Sequence, residues 1–226
     1  GARAPFRSVN ANVGSVVFRR NGDGTVESAA IEPGFRMELK GGAEITGGVR
    51  AAYESVRAAF DLDDGVSVPA GDYWFRDANL RYMAARSASF RPTASVSIGQ
   101  FFDGRLVSVS ATPAWNPSRH LELGIDYACN AIRFLDRGQS ADIHLARMRI
   151  QTAYDVHLSL ATFVQYNSAA DLASVNARLR YNFREGNDLW IVYNETMNTE
   201  RPLMGLRPPF SQARALLVKY TYTFTW

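Results

Sequence analysis

The segment from 214 to 226 alternates between two kinds of side chain at every second residue. A repeat of two residues is the period of a β-strand, because successive side chains point to opposite faces of a sheet. The chain is therefore expected to form at least one strand with an apolar, aromatic face and a mostly polar face. The apolar face carries Leu216, Val218, Tyr220, Tyr222, Phe224 and Trp226.

This segment ends on its largest aromatic side chain, Trp226. A strand of a soluble sheet rarely finishes with such a side chain unprotected, whereas lipid solvates an apolar face and aromatic residues favour the membrane interface. The pattern is similar to the C-terminal signal that directs bacterial outer-membrane barrels into the membrane. It predicts a lipid-facing strand that also acts as an insertion signal. An edge strand in a soluble, β-rich binding domain is the alternative.

Bulk composition is compatible with a membrane barrel, although it resembles that of a soluble protein. Hydrophobic residues make up 46% of the 226 positions, and the mean hydropathy is −0.19. Alternating strands average to a neutral hydropathy, and no run approaches the roughly 18 apolar residues of a transmembrane helix. If the chain spans a membrane, it has to do so as a closed β-barrel, because lipid satisfies no backbone polar group. The length predicts a single domain.

Turn signals divide the chain into about twelve segments of strand-like composition, which predicts an all-β, antiparallel, up-and-down transmembrane β-barrel. Segment 51–60 also fits an amphipathic helix, but its flanking glycines favour a strand. Segment 61–72 predicts a solvated acidic loop, and Asp103-Gly104 predicts a two-residue hairpin turn. The predicted strands are 8–20, 25–40, 43–60, 73–86, 93–102, 105–115, 121–132, 141–154, 157–166, 172–183, 189–196 and 214–226.

The lengths of the connections predict an orientation in the membrane. Outer-membrane barrels have short periplasmic turns and longer outer loops. With both termini in the periplasm, the long connections 61–72 and 197–211 would lie outside. No signal peptide opens the chain, so we expect a mature or shortened form. The short periplasmic turns would then be 41–42, 116–118, 155–156 and 184–188.

The polar face of the best-patterned strands is rich in basic side chains. Two successive residues on one face of a strand stand about 7 Å apart, so pairs of arginines on several strands would form a basic ladder. One interpretation is an anion-favouring or sugar-acid-favouring pore; the other is a narrow lumen filled by arginine–carboxylate pairs. The predicted pore-lining residues are Arg147, Arg149, Asn176, Arg178, Arg180, Asn182, Lys219, Glu122 and Asp126.

Few residues offer catalytic or metal chemistry. The single cysteine, Cys129, excludes an internal disulfide and a multi-cysteine metal site. No nucleophile elbow or metalloprotease spacing accompanies His120, His144 or His157. We therefore predict no cofactor, no metal and no catalytic residue. A net charge of +3 is too small to indicate nucleic-acid binding. A hydrolase acting on lipid or glycan, with residues from separate strands, is the alternative.

Several spaced segments carry a resemblance to a known family. They are VPAGDYWF, IGQFFDGRL, PSRHLELGIDY, FVQYN, NARLRYNFREGNDLWIVYN and the aromatic terminus. Together, over 43–226, they resemble the C-terminal part of an uncharacterised bacterial outer-membrane family. Its members usually carry an N-terminal family-9-like carbohydrate-binding domain, followed by a large domain that ends as a β-barrel. The resemblance implies an outer-membrane location and a link to glycans, and it supplies no catalytic residues. We expect the upstream domain to be absent, and strands missing upstream would make the barrel larger.

These observations lead to one functional hypothesis. The chain is expected to be an integral outer-membrane β-barrel, acting as a passive channel or as the membrane anchor of a glycan-associated complex. Its expected partners are outer-membrane lipid and lipopolysaccharide, the barrel-assembly machinery and other chains of such a complex. Neither enzymatic activity nor nucleic-acid binding is expected.

Overall fold

The structure is a computed structural model that describes residues 5–63, 65–200 and 208–224. Within these ranges the protein is all-β, as the alternating patterns predict. The helical content is one short 3₁₀ turn, Leu135–Arg137, in the part of the chain that is described. No helix in these ranges has the length and the apolar character needed to cross a bilayer.

Sixteen strands are present in the described ranges. They are β1 (Phe6–Arg19), β2 (Val26–Leu39), β3 (Glu44–Val56), β4 (Phe60–Asp63), β5 (Val66–Val68), β6 (Gly71–Met83), β7 (Phe90–Arg91), β8 (Thr93–Phe101), β9 (Gly104–Ala111), β10 (Ala114–Ser118), β11 (Leu121–Phe134), β12 (Gln139–Ala153), β13 (Leu158–Asn167), β14 (Leu172–Arg184), β15 (Asn187–Asn198) and β16 (Ser211–Thr221). Segment 51–60, where a helix was the alternative, contributes to β3, which pairs with β2 and β6, and to β4, where Phe60 pairs with Val68 of β5.

Fourteen of the strands belong to one antiparallel sheet, and β4 and β5 form a separate hairpin. Twelve strands follow one another in the sheet, in the order β1-β2-β3-β6-β8-β9-β11-β12-β13-β14-β15-β16. The short strands β7 and β10 lie off this path. The sheet is not closed into a barrel among the described residues. The predicted antiparallel all-β architecture is therefore confirmed, and the closed barrel is not shown.

Contacts within the chain divide it into two compact units. Unit 1 comprises Gly1–Ala111 and Ala128–Ile143, and unit 2 comprises Thr112–Tyr127 and His144–Trp226. The boundaries fall inside β11 and β12, so each of these strands contributes residues to both units.

In unit 1 the two faces of the sheet have the opposite polarity to that of a soluble sheet. The serines of β8 and β9 are half-buried and face one another across the strand pair. The hydroxyl oxygens of Ser95 and Ser110 lie 2.7 Å apart, and the Ser108 hydroxyl donates to Asn130 Oδ1 at 2.7 Å. The exposed face carries Ala94, Val96, Ile98, Val107 and Val109.

The polar face of unit 1 continues across β2, β3 and β6 through ion pairs. Arg50 Nε lies 2.8 Å from Asp77 Oδ2, and these two residues are direct cross-strand partners. Arg36 Nε lies 3.4 Å from Glu44 Oε1. Opposite charges on one face of neighbouring strands stabilise their pairing. Arg36 and Arg50 are therefore neutralised by carboxylates of the same face.

The most buried part of unit 1 surrounds the β4–β5 hairpin. Val66 is 3% exposed and Val68 is fully buried. They pack in one cluster with Phe102, Ile132 and Phe134, and Phe134 is 1% exposed. The predicted solvated loop over 61–72 is therefore wrong for this segment. The acidic side chains dominate its composition, but the alternation of Val66 and Val68 provides enough apolar surface for the hairpin to fold inward.

Arg137 links the β4–β5 hairpin to the 3₁₀ turn through a hydrogen bond. Its Nη1 donates to the Ser67 carbonyl oxygen, and its Nη2 lies 2.9 Å from Asp103 Oδ1. Its guanidinium carbon lies 4.1 Å from the centre of the Phe134 ring. The cation thus covers the apolar cluster while it pairs with a carboxylate and a backbone carbonyl.

The turn between β8 and β9 lies one residue earlier than the sequence predicts. Phe101 pairs with Gly104, so Phe102 and Asp103 are the central residues. Phe102 has a φ of 52°, in the left-handed region that a bulky residue rarely occupies. Gly104 is needed at the strand start, because a Cβ there would lie 2.5 Å from the Phe134 ring. The position of the turn is therefore set by the burial of Phe102 and not by the Asp103-Gly104 pair.

The last strand is shorter than predicted. β16 ends at Thr221, and Thr223 is held instead by the turn before β15. The Thr223 amide donates to Asn187 Oδ1 at 3.1 Å, and its hydroxyl donates to the Gly186 carbonyl oxygen at 2.9 Å. Asn187 is 3% exposed, which makes this a buried polar anchor. The end of the predicted strand, including Trp226, lies outside the described residues.

Candidate functional site

Unit 2 presents a basic polar face built from β12 to β16. Strand pairing aligns Arg178 with Ala161 and Val192, and Arg180 with Ser159 and Trp190. Because directly opposite residues in an antiparallel pair share a face, the register brings the predicted arginines of β14 onto one surface. The same surface contains Arg147 (paired with Gln165), Arg149 (paired with Phe163), Asn176 (paired with Asn194), Asn182 (paired with Asp188) and Lys219 (paired with Trp190).

Two arginines of this face are neutralised by carboxylates. Arg149 Nη2 lies 3.1 Å from Glu122 Oε1, and Asn116 donates to the other oxygen of Glu122 at 3.3 Å. Arg180 Nε lies 2.7 Å from Asp188 Oδ1. The Asn182 side chain donates to this same Asp188 oxygen at 2.9 Å, and the Asn176 side chain donates to Asn194. These contacts match the arginine–carboxylate pairs that the narrow-lumen interpretation expects.

Three cations of this face have no carboxylate partner within the described ranges. Arg147 donates to Gln165 Oε1 at 3.2 Å, and no ion pair with a described residue involves Arg147, Arg178 or Lys219. Asp126 is exposed, and the alternation of β11 puts it on the same face as Glu122 and Gly124. The predicted pore-lining residues therefore share one face, where cations outnumber the carboxylates that could neutralise them. Their pore-lining role remains a prediction.

A cavity of about 530 Å³ opens on this polar face. Its wall combines basic, aromatic and small side chains, all of them from unit 2. We call this cavity the arginine pocket. Its chemically distinctive lining residues are Arg119, Glu122, Phe163, Arg178, Arg180 and Trp190.

The sequence identified Arg178, Arg180 and Glu122 but not the aromatic part of the pocket. The guanidinium carbon of Arg180 lies 5.5 Å from the centre of the Trp190 ring. Phe163 lies on the polar face of β13, and Trp190 lies on the polar face of β15. An aromatic residue at a polar position of an alternating strand is the signal that could have found both.

Each histidine is engaged in a structural hydrogen bond. His120 Nδ1 lies 2.8 Å from the Ala153 carbonyl oxygen, so this nitrogen has to donate. Arg119 Nε then donates to His120 Nε2 at 2.9 Å, which requires a neutral ring. His157 Nδ1 likewise donates to the Asn182 carbonyl oxygen at 2.8 Å. His144 Nδ1 lies 2.9 Å from the Tyr127 hydroxyl. The hydrogen bonds of His120 leave neither of its ring nitrogens free to act as a base.

The apolar face of unit 2 is exposed and ends in an aromatic cluster. Leu216 is 65% exposed, Val218 is 65% exposed and Tyr220 is 57% exposed. Tyr181, Phe183, Tyr220, Tyr222 and Phe224 form a chain of ring contacts with centroid distances from 4.6 to 6.5 Å. The Arg184 guanidinium donates to the Tyr222 hydroxyl at 2.9 Å. The predicted lipid-facing residues Leu216, Val218, Tyr220, Tyr222 and Phe224 belong to this region, and Trp226 lies outside the described ranges.

One ion pair on the apolar face was not predicted. Glu195 pairs with Arg214 across β15 and β16, with a distance of 2.6 Å from Arg214 Nη2 to Glu195 Oε1. The Tyr193 hydroxyl donates to the second carboxylate oxygen of Glu195 at 2.5 Å. With the Ser211 side chain, which also donates to it, the Glu195 carboxylate has three polar partners near the end of β15.

Two aspartates in turns have lowered pKa values because amide, hydroxyl and guanidinium groups donate to them. The Thr25 hydroxyl and amide, with Arg57, lower the pKa of Asp23 to about 2. The amides of Leu158 and His157 lower the pKa of Asp155. Both carboxylates hold tight turns between strands, at 20–25 and 154–157.

No group of three or more metal-ligating side chains occurs within the described ranges. Comparison of the chain with known protein families, with curated proteins and with solved structures found no match. The features of the chain that bear on function are the polarity of the two faces and the arginine pocket.

Proposed function

We propose that this protein is an integral bacterial outer-membrane protein that acts as a passive pathway for small anions. The observation that supports membrane insertion is the inverted polarity of the sheet. In the described ranges 36 large hydrophobic side chains are exposed, whereas eight hydrophobic residues are buried. A protein in water would be expected to show the opposite balance.

The size of this imbalance supports an apolar surrounding medium. Burying one Val, Leu, Ile or Phe side chain stabilises a protein by about 1.5–3 kcal/mol. If all 36 side chains stayed in water, tens of kcal/mol of this stabilisation by burial would be lost. That is more than the roughly 5–15 kcal/mol net stability of a folded domain. Lipid removes this penalty for the side chains on the apolar face. Because free sheet edges are costly in lipid, the proposal includes closure of the sheet in the membrane into the predicted barrel.

The charge of the polar face supports an anion pathway. In unit 1, Arg36 and Arg50 are neutralised by Glu44 and Asp77. In unit 2, Arg147, Arg178 and Lys219 have no such partner among the described residues. Fixed cations on a water-accessible wall attract anions and repel cations.

Fluorescence quenching by brominated lipids tests the insertion directly. Trp74 is 73% exposed on the apolar face, whereas Trp190 lies on the polar face. Variants retaining one of these tryptophans, with the others changed to Phe, would be refolded into brominated vesicles. We expect strong quenching of Trp74 and weak quenching of Trp190. Equal quenching of the two residues would contradict the assignment of the faces.

Planar-bilayer recording tests the pathway. We expect stable conductance steps that favour anions when the refolded chain is added to the bilayer. A folded, inserted protein without conductance steps would mean that the sheet serves as a membrane anchor, and the channel proposal would be abandoned.

A further inference from the structure

We propose that the arginine pocket binds a small organic carboxylate that carries a ring, with Arg178 holding the carboxylate. The inference deepens the proposed function, on which it rests, because the pocket lies on the polar face that would form the pathway. An aromatic acid and a sugar acid share this chemistry.

Arg178 is the cation of the pocket that is available to a ligand. Arg180 is engaged with Asp188, and the lining carboxylate Glu122 is engaged with Arg149 and Asn116. Arg178 is exposed and has no hydrogen bond or ion pair with a residue in the described ranges. A guanidinium presents parallel donors that fit a carboxylate in a bidentate geometry.

The register leaves space in front of Arg178. Its direct cross-strand neighbours are Ala161 on β13 and Val192 on β15. Each is much smaller than the aromatic residue next to it on the same face, Phe163 beside Ala161 and Trp190 beside Val192. The cavity of about 530 Å³ is in the range of small-molecule pockets, about 300–1,000 Å³. An inorganic ion would leave most of this volume empty, so a larger organic anion fits it better.

Aromatic residues occupy two of the four diagonal positions beside Arg178. Phe163 lies two residues beyond Ala161, and Trp190 lies two residues before Val192. Diagonal neighbours on one face stand about 7–8 Å apart at their backbone positions, which is within reach of an aromatic side chain. A ring attached to a carboxylate held by Arg178 can therefore pack against Phe163 or Trp190.

The charge of the pocket favours an anion. Arg178 supplies one unneutralised positive charge in the wall, and Arg119 supplies a second one beside the neutral His120. The Arg119 Nε–H is already donated to His120, so Arg119 attracts anions without offering its full set of donors. One carboxylate matches the single complete guanidinium of Arg178.

Calorimetric titration of the detergent-refolded chain tests the proposal. The probes are benzoate and glucuronate, with glucose and inorganic phosphate as controls. We expect saturable binding of at least one carboxylate and none of glucose. If benzoate alone binds, the natural ligand is an aromatic acid; if glucuronate alone binds, it is a sugar acid. Binding of phosphate alone, or of none of the probes, would overturn the proposal.

Matched variants test the role of Arg178. Arg178→Gln is expected to weaken carboxylate binding by about tenfold or more, because one charge-assisted contact is lost. Arg147→Gln is the control, since Arg147 lies on the same face without lining the pocket. Circular dichroism would confirm that both variants fold. Equal weakening in both variants, or none in Arg178→Gln, would overturn the assignment.

The same preparation separates this inference from the proposed function. Conductance without carboxylate binding would leave the anion pathway standing and overturn the pocket assignment. Carboxylate binding without conductance would support the pocket and overturn the channel.

Discussion

At the residue scale, the turn between β8 and β9 is decided by one side chain. Phe102 has a left-handed φ of 52°, yet the residue is only 8% exposed. Its ring lies 5.2 Å from the Tyr73 ring and 5.7 Å from the Phe75 ring, measured between centroids. The packing of this ring therefore outweighs a backbone conformation that costs about 1–2 kcal/mol for a non-glycine residue.

This balance predicts an unusual order of stability at position 102. Phe102→Ala should lower the free energy of unfolding by about 3–5 kcal/mol, because the ring contacts are lost and the strain is kept. Phe102→Gly loses the same contacts but relieves the strain, so it should be more stable than Phe102→Ala by about 0.5–1 kcal/mol. Urea titration of the refolded variants measures the difference. A glycine variant that is less stable than the alanine variant would contradict the prediction.

The Asp23 carboxylate predicts a pH dependence of the first hairpin. Its pKa in the folded protein is about 2, below the ordinary value of 3.8. A lowered pKa stabilises the fold above the ordinary value, and this stabilisation is lost as the pH falls from about 4 to about 2. The stability difference between the wild type and Asp23→Asn should therefore shrink over this range. A difference that stays constant with pH would show that the carboxylate charge has no role.

At the element scale, the β4–β5 hairpin shows how a short apolar pattern can override its surroundings. Val68 is fully buried, whereas Ser67 points away from the cluster and is half-buried. The hairpin has few residues of its own. Its position therefore depends on the cluster around Phe134 and on Arg137.

A pair of neighbouring substitutions tests this dependence. Val68→Asp places an unpaired carboxylate in the apolar cluster and should release the hairpin. It should lower the free energy of unfolding by about 3–5 kcal/mol. Ser67→Asp, the matched control, should cost less than about 1 kcal/mol. Limited proteolysis between 60 and 70 measures the release. Rapid cleavage of both variants, or of neither, would contradict the inward-packed hairpin.

At the scale of the whole molecule, anion preference would be the sum of fixed charges along the polar face. Arg178→Glu reverses an unpaired charge in the wall, so it should shift the reversal potential in a salt gradient towards cation preference. Lys40→Glu makes the same change of charge in the turn between β2 and β3 and should shift it less. Equal shifts in the two variants would mean that the net charge, and not the wall, sets the preference.

Much of the fold could be predicted because strand polarity is a local property. Each side chain of Arg178, Leu179 and Arg180 is assigned to a face by parity alone, and the observed register agrees with that assignment. The hairpin at Val66–Val68 was missed because its strand is three residues long and lies beside acidic residues. Its burial depends on Phe134, which is distant in sequence.

The candidate site divides in the same way between local and long-range information. Alternation by itself determined that the chain forms antiparallel strands, that one face is apolar and that the arginines of β12 and β14 lie on the other. Only the tertiary structure decided that Arg178 lies between Ala161 and Val192, with Phe163 and Trp190 at two of its diagonal positions. The physical reason is that parity follows from the backbone of a single strand, whereas register follows from hydrogen bonds between strands.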